Sequence, residues 1–332
     1  MHHPAYRFPK IDQNNAFVGA MQRFGYDGIK PNDIDKTGKT IREEMAQTDP
    51  EAAAILTHTE IRMLAIRRQM ESICLLRSLD DVAKDWATTV SDLTPIIVEN
   101  CKTFAKKEVS DSVVQAVYNA WEMERHDAAE RHLYPEVVDA LKQIKEEHPG
   151  VVIGAVTDGK ANPMLMTFTL APYFDFCMSW EDDQGGRSKF FKELSSTGSD
   201  AELQWIYEAA LDKYKELAKT RGTLKKDKEA GGSPDDKVWI HVGDDLAYDV
   251  GGSHSVGART ILFELADKYG QTARHRFDNM NKLPSWSVTT TSELEKRKIM
   301  NVAAERQVDV KLSFISRLPE AINDILDDAD AE

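Results

Sequence analysis

Three carboxylates follow a short apolar run in the second half of the chain. The run at 238–242 (VWIHV) is nearly continuous in apolar residues, which is typical of a buried strand. Gly243 ends the run, Asp244 and Asp245 come next, and Asp249 lies four residues after Asp245. Carboxylates at a strand end suit Mg²⁺, a hard cation that takes oxygen ligands and often bridges to a phosphate. A solvated loop whose Asp residues cap a helix explains the same stretch, so both interpretations stay open.

A helix and a second strand complete the unit that positions these carboxylates. The residues after Asp249 indicate a helix, a second Gly follows at Gly257, and residues 260–263 form another apolar run. Strand, acidic loop, helix and strand together make a βαβ-type unit. In an open parallel sheet, ligands bind outside the carboxyl ends of the strands. The pattern therefore places the carboxylates where a binding site is expected.

Two further features lie upstream of the acidic loop. The run at 151–156 (VVIGAV) predicts a buried strand, and Thr157 follows at its carboxyl end. Lys189 lies between the two strands in a polar loop, EDDQGGRSK. Taken singly, a strand-end Thr is also ordinary β-branched packing, and Lys189 is also a solvated loop residue. We expect the carboxyl ends of the strands before Thr157 and Asp244 to be neighbours in the fold, with Lys189 pointing into the same crevice.

The composition describes a globular protein and excludes some function classes. The chain has 332 residues, of which 41% are hydrophobic and 30% charged. Its net charge of −14 argues against non-specific nucleic-acid binding, which depends on Lys and Arg neutralising phosphates. No apolar run approaches the roughly 18 residues that a membrane span needs. Three widely spaced cysteines, Cys74, Cys101 and Cys177, indicate a reducing compartment, so we expect a cytoplasmic location.

The pattern of the chain changes near residue 130. Before it the patterns are helical, over 14–24, 51–79, 96–104 and 110–121, and no convincing strand occurs before 150. After it, strand-like runs alternate with amphipathic helices, and the tail adds a possible strand at 286–290 and a closing helix at 318–326. This alternation predicts a doubly wound α/β core with a parallel sheet. We therefore expect a helical domain over 1–130 and an α/β core over 131–332.

These features together resemble the haloacid dehalogenase (HAD)-like hydrolase superfamily. Three of its four motifs occur in similar form: AVTDG at 155–159, Lys189 within GRSK, and GDDLAYD at 243–249. The phrases HLYPEVVDALKQI and LAPYFDFCMSWEDD also look like members that carry a helical cap inserted after the first strand. The resemblance covers most of the chain from Asn14 on. It implies a Rossmann-like core over 131–332 and an α-helical cap domain over 1–130.

The resemblance further implies a Mg²⁺-dependent phosphatase that acts on a small phosphorylated metabolite. In this superfamily an Asp nucleophile forms an aspartyl-phosphate that water then hydrolyses, and a second Asp two positions on acts as general acid and base. Thr157 is then expected to bind a phosphoryl oxygen and Lys189 to neutralise developing charge. Lys192 is an alternative to Lys189, because Arg187-Ser188-Lys189 departs from the Lys-Pro common in relatives.

The resemblance assigns the metal to the acidic loop. Asp244 is expected to bind Mg²⁺ directly, Asp249 to support it from the helix, and Asp245 to turn away. The implied partner is a small phosphorylated substrate, with neither nucleic acid nor a membrane.

The nucleophile motif is expected upstream of the residues given. In relatives, a stretch like residues 6–25 directly follows an apolar strand and Asp-x-Asp-x-Thr, and residues 1–5 contain neither. We therefore expect the chain as given to lack its nucleophile. A literal Asp-x-Asp-x-Thr occurs at Asp33, Asp35 and Thr37. Asp33 and Asp35 are therefore candidates for the nucleophile, but no buried strand precedes them. The alternative function is a non-catalytic pseudoenzyme of the same fold that acts as a binding or regulatory protein.

Overall fold

The computed structural model describes residues 10–157, 159–182, 185, 204–221, 237–264 and 291–331. The chain forms two compact units, a helical unit up to Ala128 and an α/β unit from Ala129 onward. The division lies two residues before the border expected from the sequence. Within the described ranges, no helix is both long and apolar enough to span a membrane.

Amphipathic helices and their caps build the helical unit. The helices are α1 (Lys10–Arg23), α2 (Asp33–Thr48), α3 (Pro50–Ile55), α4 (His58–Asp85), α5 (Pro95–Glu108) and α6 (Asp111–Arg131). The segment 51–79, expected as one helical stretch, is interrupted at Leu56 and Thr57, which have extended backbones. Thr57 and Glu60 form a capping box there, with the Glu60 N–H donating to the Thr57 hydroxyl at 3.1 Å. Phe17 stacks on Trp121 in the core of this unit, with ring centroids 5.5 Å apart.

Strands and helices alternate along the α/β unit, as the sequence predicts. The elements are α7 (Pro135–Glu147), β1 (Gly154–Thr157), α8 (Pro163–Met166), β2 (Phe176–Ser179), α9 (Gln204–Arg221), β3 (Ile240–Gly243), β4 (Arg259–Phe263), α10 (Thr291–Ala304), β5 (Val310–Leu312) and α11 (Leu318–Ala331). A seven-residue π-helical segment, Leu246–Gly252, connects β3 toward β4. The fold of this unit is therefore α/β.

All strand pairs in the described residues are parallel, and they form two sheets. β1 pairs with β2, and Thr157 lies opposite Ser179 at the carboxyl end of that pair. The second sheet has the order β3-β4-β5, with Gly243 opposite Leu262. The sequence predicted parallel strands, which is confirmed, whereas the single doubly wound sheet stays a prediction.

Strand β4 explains why the sequence shows apolar runs rather than alternation. Ile261 and Phe263 join the cluster formed by α7 and α11, and Leu262 packs with Leu246 and Val250 on another cluster. All three β4 residues are almost fully buried. A strand covered on both faces needs apolar side chains at consecutive positions.

The first strand begins later than the sequence predicted, where a side chain accepts a backbone N–H in place of a neighbouring strand. The run 151–156 was expected as a strand, but β1 begins only at Gly154. The N–H of Ile153 donates to the Asp175 carboxylate at 2.8 Å. β5 is only three residues long and has no visible sequence pattern. The possible strand at 286–290 lies outside the described residues.

Candidate functional site

The acidic loop begins at the carboxyl end of β3, as the sequence indicates. Asp244 directly follows the strand and is 8% exposed. A carboxylate removed from water to this degree needs partners or a cation to offset the cost of its burial. Asp244 is the most buried of the three carboxylates in this loop.

The Asp245 side chain contacts the segment that follows it and helix α10. Its carboxylate accepts the Tyr248 N–H at 3.1 Å and forms an ion pair with Arg297 from α10. The Arg297 guanidinium also lies over the Tyr248 ring, 4.5 Å from its centroid. These contacts give Asp245 a capping and packing role.

Asp249 folds back onto the strand end instead of pointing into solvent. Its Oδ2 accepts the Asp245 N–H at 3.0 Å, and its Oδ1 accepts the Tyr207 hydroxyl at 3.4 Å. The Nε2 of His241 lies 3.6 Å from the same Oδ1. Since its oxygens already have these neighbours, Asp249 is suited to orient the loop rather than to act as a principal ligand.

The π-helical segment is what returns Asp249 to the strand end. The Val250 N–H donates to the Asp245 carbonyl at 3.1 Å, a bond that spans five residues. π-helical turns are rare and occur frequently at functional sites. Sequence periodicity indicated only a helix here, because a single wide turn leaves no pattern of its own.

Two hydroxyls lie at the end of the β1–β2 pair. The Thr157 hydroxyl donates to the Gly159 carbonyl at 2.8 Å, and the Ser179 hydroxyl donates to the same carbonyl at 3.0 Å. Both side chains are almost fully buried. Sequence analysis identified Thr157 but missed Ser179, whose only signal is its place at the end of a short apolar run (FCMS).

Thr157 and the acidic loop lie in different sheets of the same unit. β1 pairs with β2 and β3 pairs with β4, so the two strands are not direct partners in the described part of the chain. Three consecutive residues of α9 connect the two sheets: Trp205, Ile206 and Tyr207. Val156 of β1, Met178 of β2 and Trp239 immediately before β3 all pack against this cluster.

The remaining predicted residues lie elsewhere. Lys189 and Lys192 are outside the described residues. Asp33 and Asp35 lie in the first turn of α2 in the helical unit, not at the end of a strand. The Asp33 carboxylate accepts the Lys30 N–H at 2.8 Å, and the Asp35 carboxylate accepts an amide N–H of Asn14 at 3.0 Å. The first contact is local to the helix start, and the second joins α1 to α2. Neither carboxylate lies at the end of a strand, where the resemblance places the nucleophile.

Cys177 in β2 does not supply a thiolate nucleophile at neutral pH. Burial, with a smaller contribution from Asp182, raises the pKa of Cys177 to about 12. The thiol is therefore protonated at neutral pH, and protonated thiols are poor nucleophiles.

The carboxylates of the acidic loop are too few for a closed metal cage. Among the residues that the structure describes, no group of three or more His, Cys, Asp or Glu side chains could hold a metal ion. Mg²⁺ commonly keeps several waters and uses one or two carboxylates together with substrate phosphate oxygens. Asp244, with Asp249 behind it, supplies a donor set of that size.

Comparison with known proteins adds no assignment. The chain matches no protein-family model, and no curated protein sequence matches it significantly.

Proposed function

We propose that this chain belongs to a Mg²⁺-dependent phosphatase of the HAD-like type that acts on a small phosphorylated metabolite. In this proposal the α/β unit is a doubly wound, Rossmann-like core, and the helical unit is a cap domain. The support comes from the three sequence motifs and from the arrangement of the strand ends that carry two of them.

One observation carries the proposal: a single turn of α9 packs on both sheets although β1 and β3 are not paired. Adjacent strands lie about 4.8 Å apart, and a helix with its side chains is about 10 Å wide. Strands covered by the same turn but not paired are therefore expected to be about two strand spacings apart. That spacing has room for one further parallel strand between β1 and β3.

The proposed strand brings the nucleophile between the two groups already described. Its carboxyl end would lie between Thr157 and Asp244, so an Asp there could attack phosphorus. The Thr157 hydroxyl would turn from the Gly159 carbonyl and donate its hydrogen bond to a phosphoryl oxygen instead. The alcohol of the substrate leaves and takes a proton from a second Asp. Water then cleaves the aspartyl-phosphate and releases inorganic phosphate.

The other residues stabilise charge in this proposal. Lys189, or Lys192 in its place, neutralises the phosphoryl oxygens, and Asp244 holds Mg²⁺ with support from Asp249. The metal supplies positive charge against the phosphate oxygens. Asp245 stays with Arg297 and takes no part.

Mg²⁺-dependent binding of inorganic phosphate to the full chain tests the proposal. We expect calorimetry to show phosphate binding that requires Mg²⁺ and that weakens at least tenfold in Asp244→Asn. The matched control is Asp327→Asn, which changes an exposed carboxylate of α11 and should leave binding unchanged. Phosphate binding that needs neither Mg²⁺ nor Asp244 would refute the proposed site.

A further inference from the structure

The contacts of Tyr207 single out a residue that no sequence motif marks. Tyr207 is 3% exposed and lies on α9, in the turn that packs on both sheets. Its ring meets the His241 ring edge-on with centroids 5.0 Å apart, and the Trp239 ring at 6.5 Å. Its hydroxyl is directed to Asp249 Oδ1 at 3.4 Å. Helical periodicity accounts for the burial of the ring but not for a hydroxyl at this carboxylate.

Asp249 connects this hydroxyl to the acidic loop. One carboxylate oxygen faces Tyr207, and the other accepts the backbone N–H of Asp245 at 3.0 Å. Asp245 is the residue next to Asp244, so the rotation of the Asp249 carboxylate sets the path of the backbone that carries Asp244. A carboxylate held at both oxygens has fewer rotamers than one held at a single oxygen.

The other neighbour at this oxygen is a weaker restraint. The Nε2 of His241 lies 3.6 Å from Asp249 Oδ1, which is beyond hydrogen-bond distance. The Tyr207 hydroxyl is the nearer donor to that oxygen, at 3.4 Å, which is itself long for an O–H···O hydrogen bond. His241 instead supports the Tyr207 ring through the edge-on contact, and its side chain is 11% exposed.

We propose that Tyr207 is a positioning residue for the cation site, acting through Asp249 on the backbone of the acidic loop. The inference rests on the proposed function for its cation, but the hydrogen-bond relay to Asp245 can be measured without any metal. Because α9 also packs on β1, the same residue ties the loop after β3 to the helix that covers both sheets.

The variant Tyr207→Phe isolates the hydroxyl, since the ring and its contacts with His241 and Trp239 are retained. Tyr214→Phe makes the same chemical change two turns along α9, at a half-buried position that has no contact with Asp249 among those described. The full chain carrying either variant is compared with the unmodified chain in two measurements: hydrogen exchange at the Asp245 amide, and Mn²⁺ affinity by calorimetry.

We expect Tyr207→Phe to lower the protection of the Asp245 amide about 3- to 10-fold and to weaken Mn²⁺ binding by a similar factor. Tyr214→Phe should change neither quantity, and the melting temperatures of the two variants should agree. Unchanged protection and unchanged Mn²⁺ affinity in Tyr207→Phe would overturn the inference. Reduced protection together with a Tyr214→Phe effect of equal size would also overturn it, because the cause would then be general loosening of α9.

Asp244→Asn separates this inference from the proposed function. If Mn²⁺ binds equally well to Asp244→Asn, or does not bind the unmodified chain, the proposed metal site fails. The Asp245 amide then decides alone whether Tyr207 positions the loop. If Asp244→Asn abolishes Mn²⁺ binding while Tyr207→Phe binds normally, the metal site stands and the positioning role of Tyr207 is refuted.

Discussion

Gly243 and Asp249 approach so closely that no side chain fits at residue 243. A methyl group built on the Gly243 Cα would lie 2.0 Å from Asp249 Oδ2, the oxygen that accepts the Asp245 N–H. A Cβ atom does not come this near to an oxygen to which it is not bonded, so any substitution must displace the Asp249 carboxylate. The glycine at the end of β3 is thus required by the carboxylate that returns to it.

We therefore expect Gly243→Ala to disturb the acidic loop. Overpacking of this kind costs about 1–3 kcal/mol of unfolding free energy, and divalent-cation binding should weaken with it. Gly251→Ala is the matched control, because a methyl group there meets the Ala304 Cβ at an ordinary 3.4 Å. Urea unfolding and Mn²⁺ titration of both variants measure the difference, and equal behaviour would show that Asp249 moves aside at no cost.

Replacing each of the three carboxylates of the loop should weaken metal binding to a different degree. Asp244→Asn should weaken Mg²⁺ or Mn²⁺ binding most, because Asp244 is the buried carboxylate at the strand end. Asp249→Asn should have an intermediate effect through loss of loop geometry, and Asp245→Asn the smallest. Calorimetric titration of the three variants gives the order directly. Equal affinities in all variants would mean that the acidic loop only caps a helix.

Asp245→Asn should instead lower stability. It weakens the ion pair with Arg297, in which each side chain is 14% exposed. Asn keeps a hydrogen-bond acceptor but leaves the Arg297 charge uncompensated, so we expect a cost of about 1–3 kcal/mol. Asp212→Asn is the control, since its pair with Lys215 is exposed and should contribute about 0.5 kcal/mol or less. Thermal or urea unfolding that fails to separate the two variants would contradict this prediction.

The chain as given should hydrolyse no generic aryl phosphate above background, even with Mg²⁺. The reaction needs a carboxylate at a strand end for the covalent step, and Asp33 and Asp35 lie in a helix instead. Release of p-nitrophenol from its phosphate ester is the measurement. Robust turnover that Asp33→Asn abolishes would show that the helix-start motif is the nucleophile after all.

Cys177 should make stability fall at alkaline pH. Burial raises its folded-state pKa from 9.0 to about 12, so the folded protein retains the proton while the unfolded chain loses it. The stabilisation is complete below about pH 9 and is lost as pH rises toward 12, with a limiting slope of about 1.4 kcal/mol per pH unit. Urea unfolding between about pH 8.5 and 10.5 measures this effect. The free energy of unfolding should fall more steeply with pH for the unmodified chain than for Cys177→Ala. Parallel curves would contradict it.

The sequence by itself determined the fold class and the place of the acidic loop at a strand end. Continuous apolar runs predicted parallel strands buried on both faces, and β4 shows why: Ile261, Leu262 and Phe263 are all inside. The order of strand, glycine and carboxylate placed Asp244 at a strand end, because a buried strand that stops at a glycine leaves the next side chain at the sheet edge. These are local properties, and local patterns are what a sequence carries.

Only the tertiary structure decided how the carboxylates divide their roles. Asp245 is held by Arg297 and Asp249 by Tyr207, partners that are 52 and 42 residues away along the chain. Ser179 joins Thr157 only through the register of β1 and β2. No periodicity or motif encodes such pairings, since they arise when separate elements pack. The two-sheet arrangement likewise depends on which strand edges meet, and each strand sequence is compatible with several neighbours.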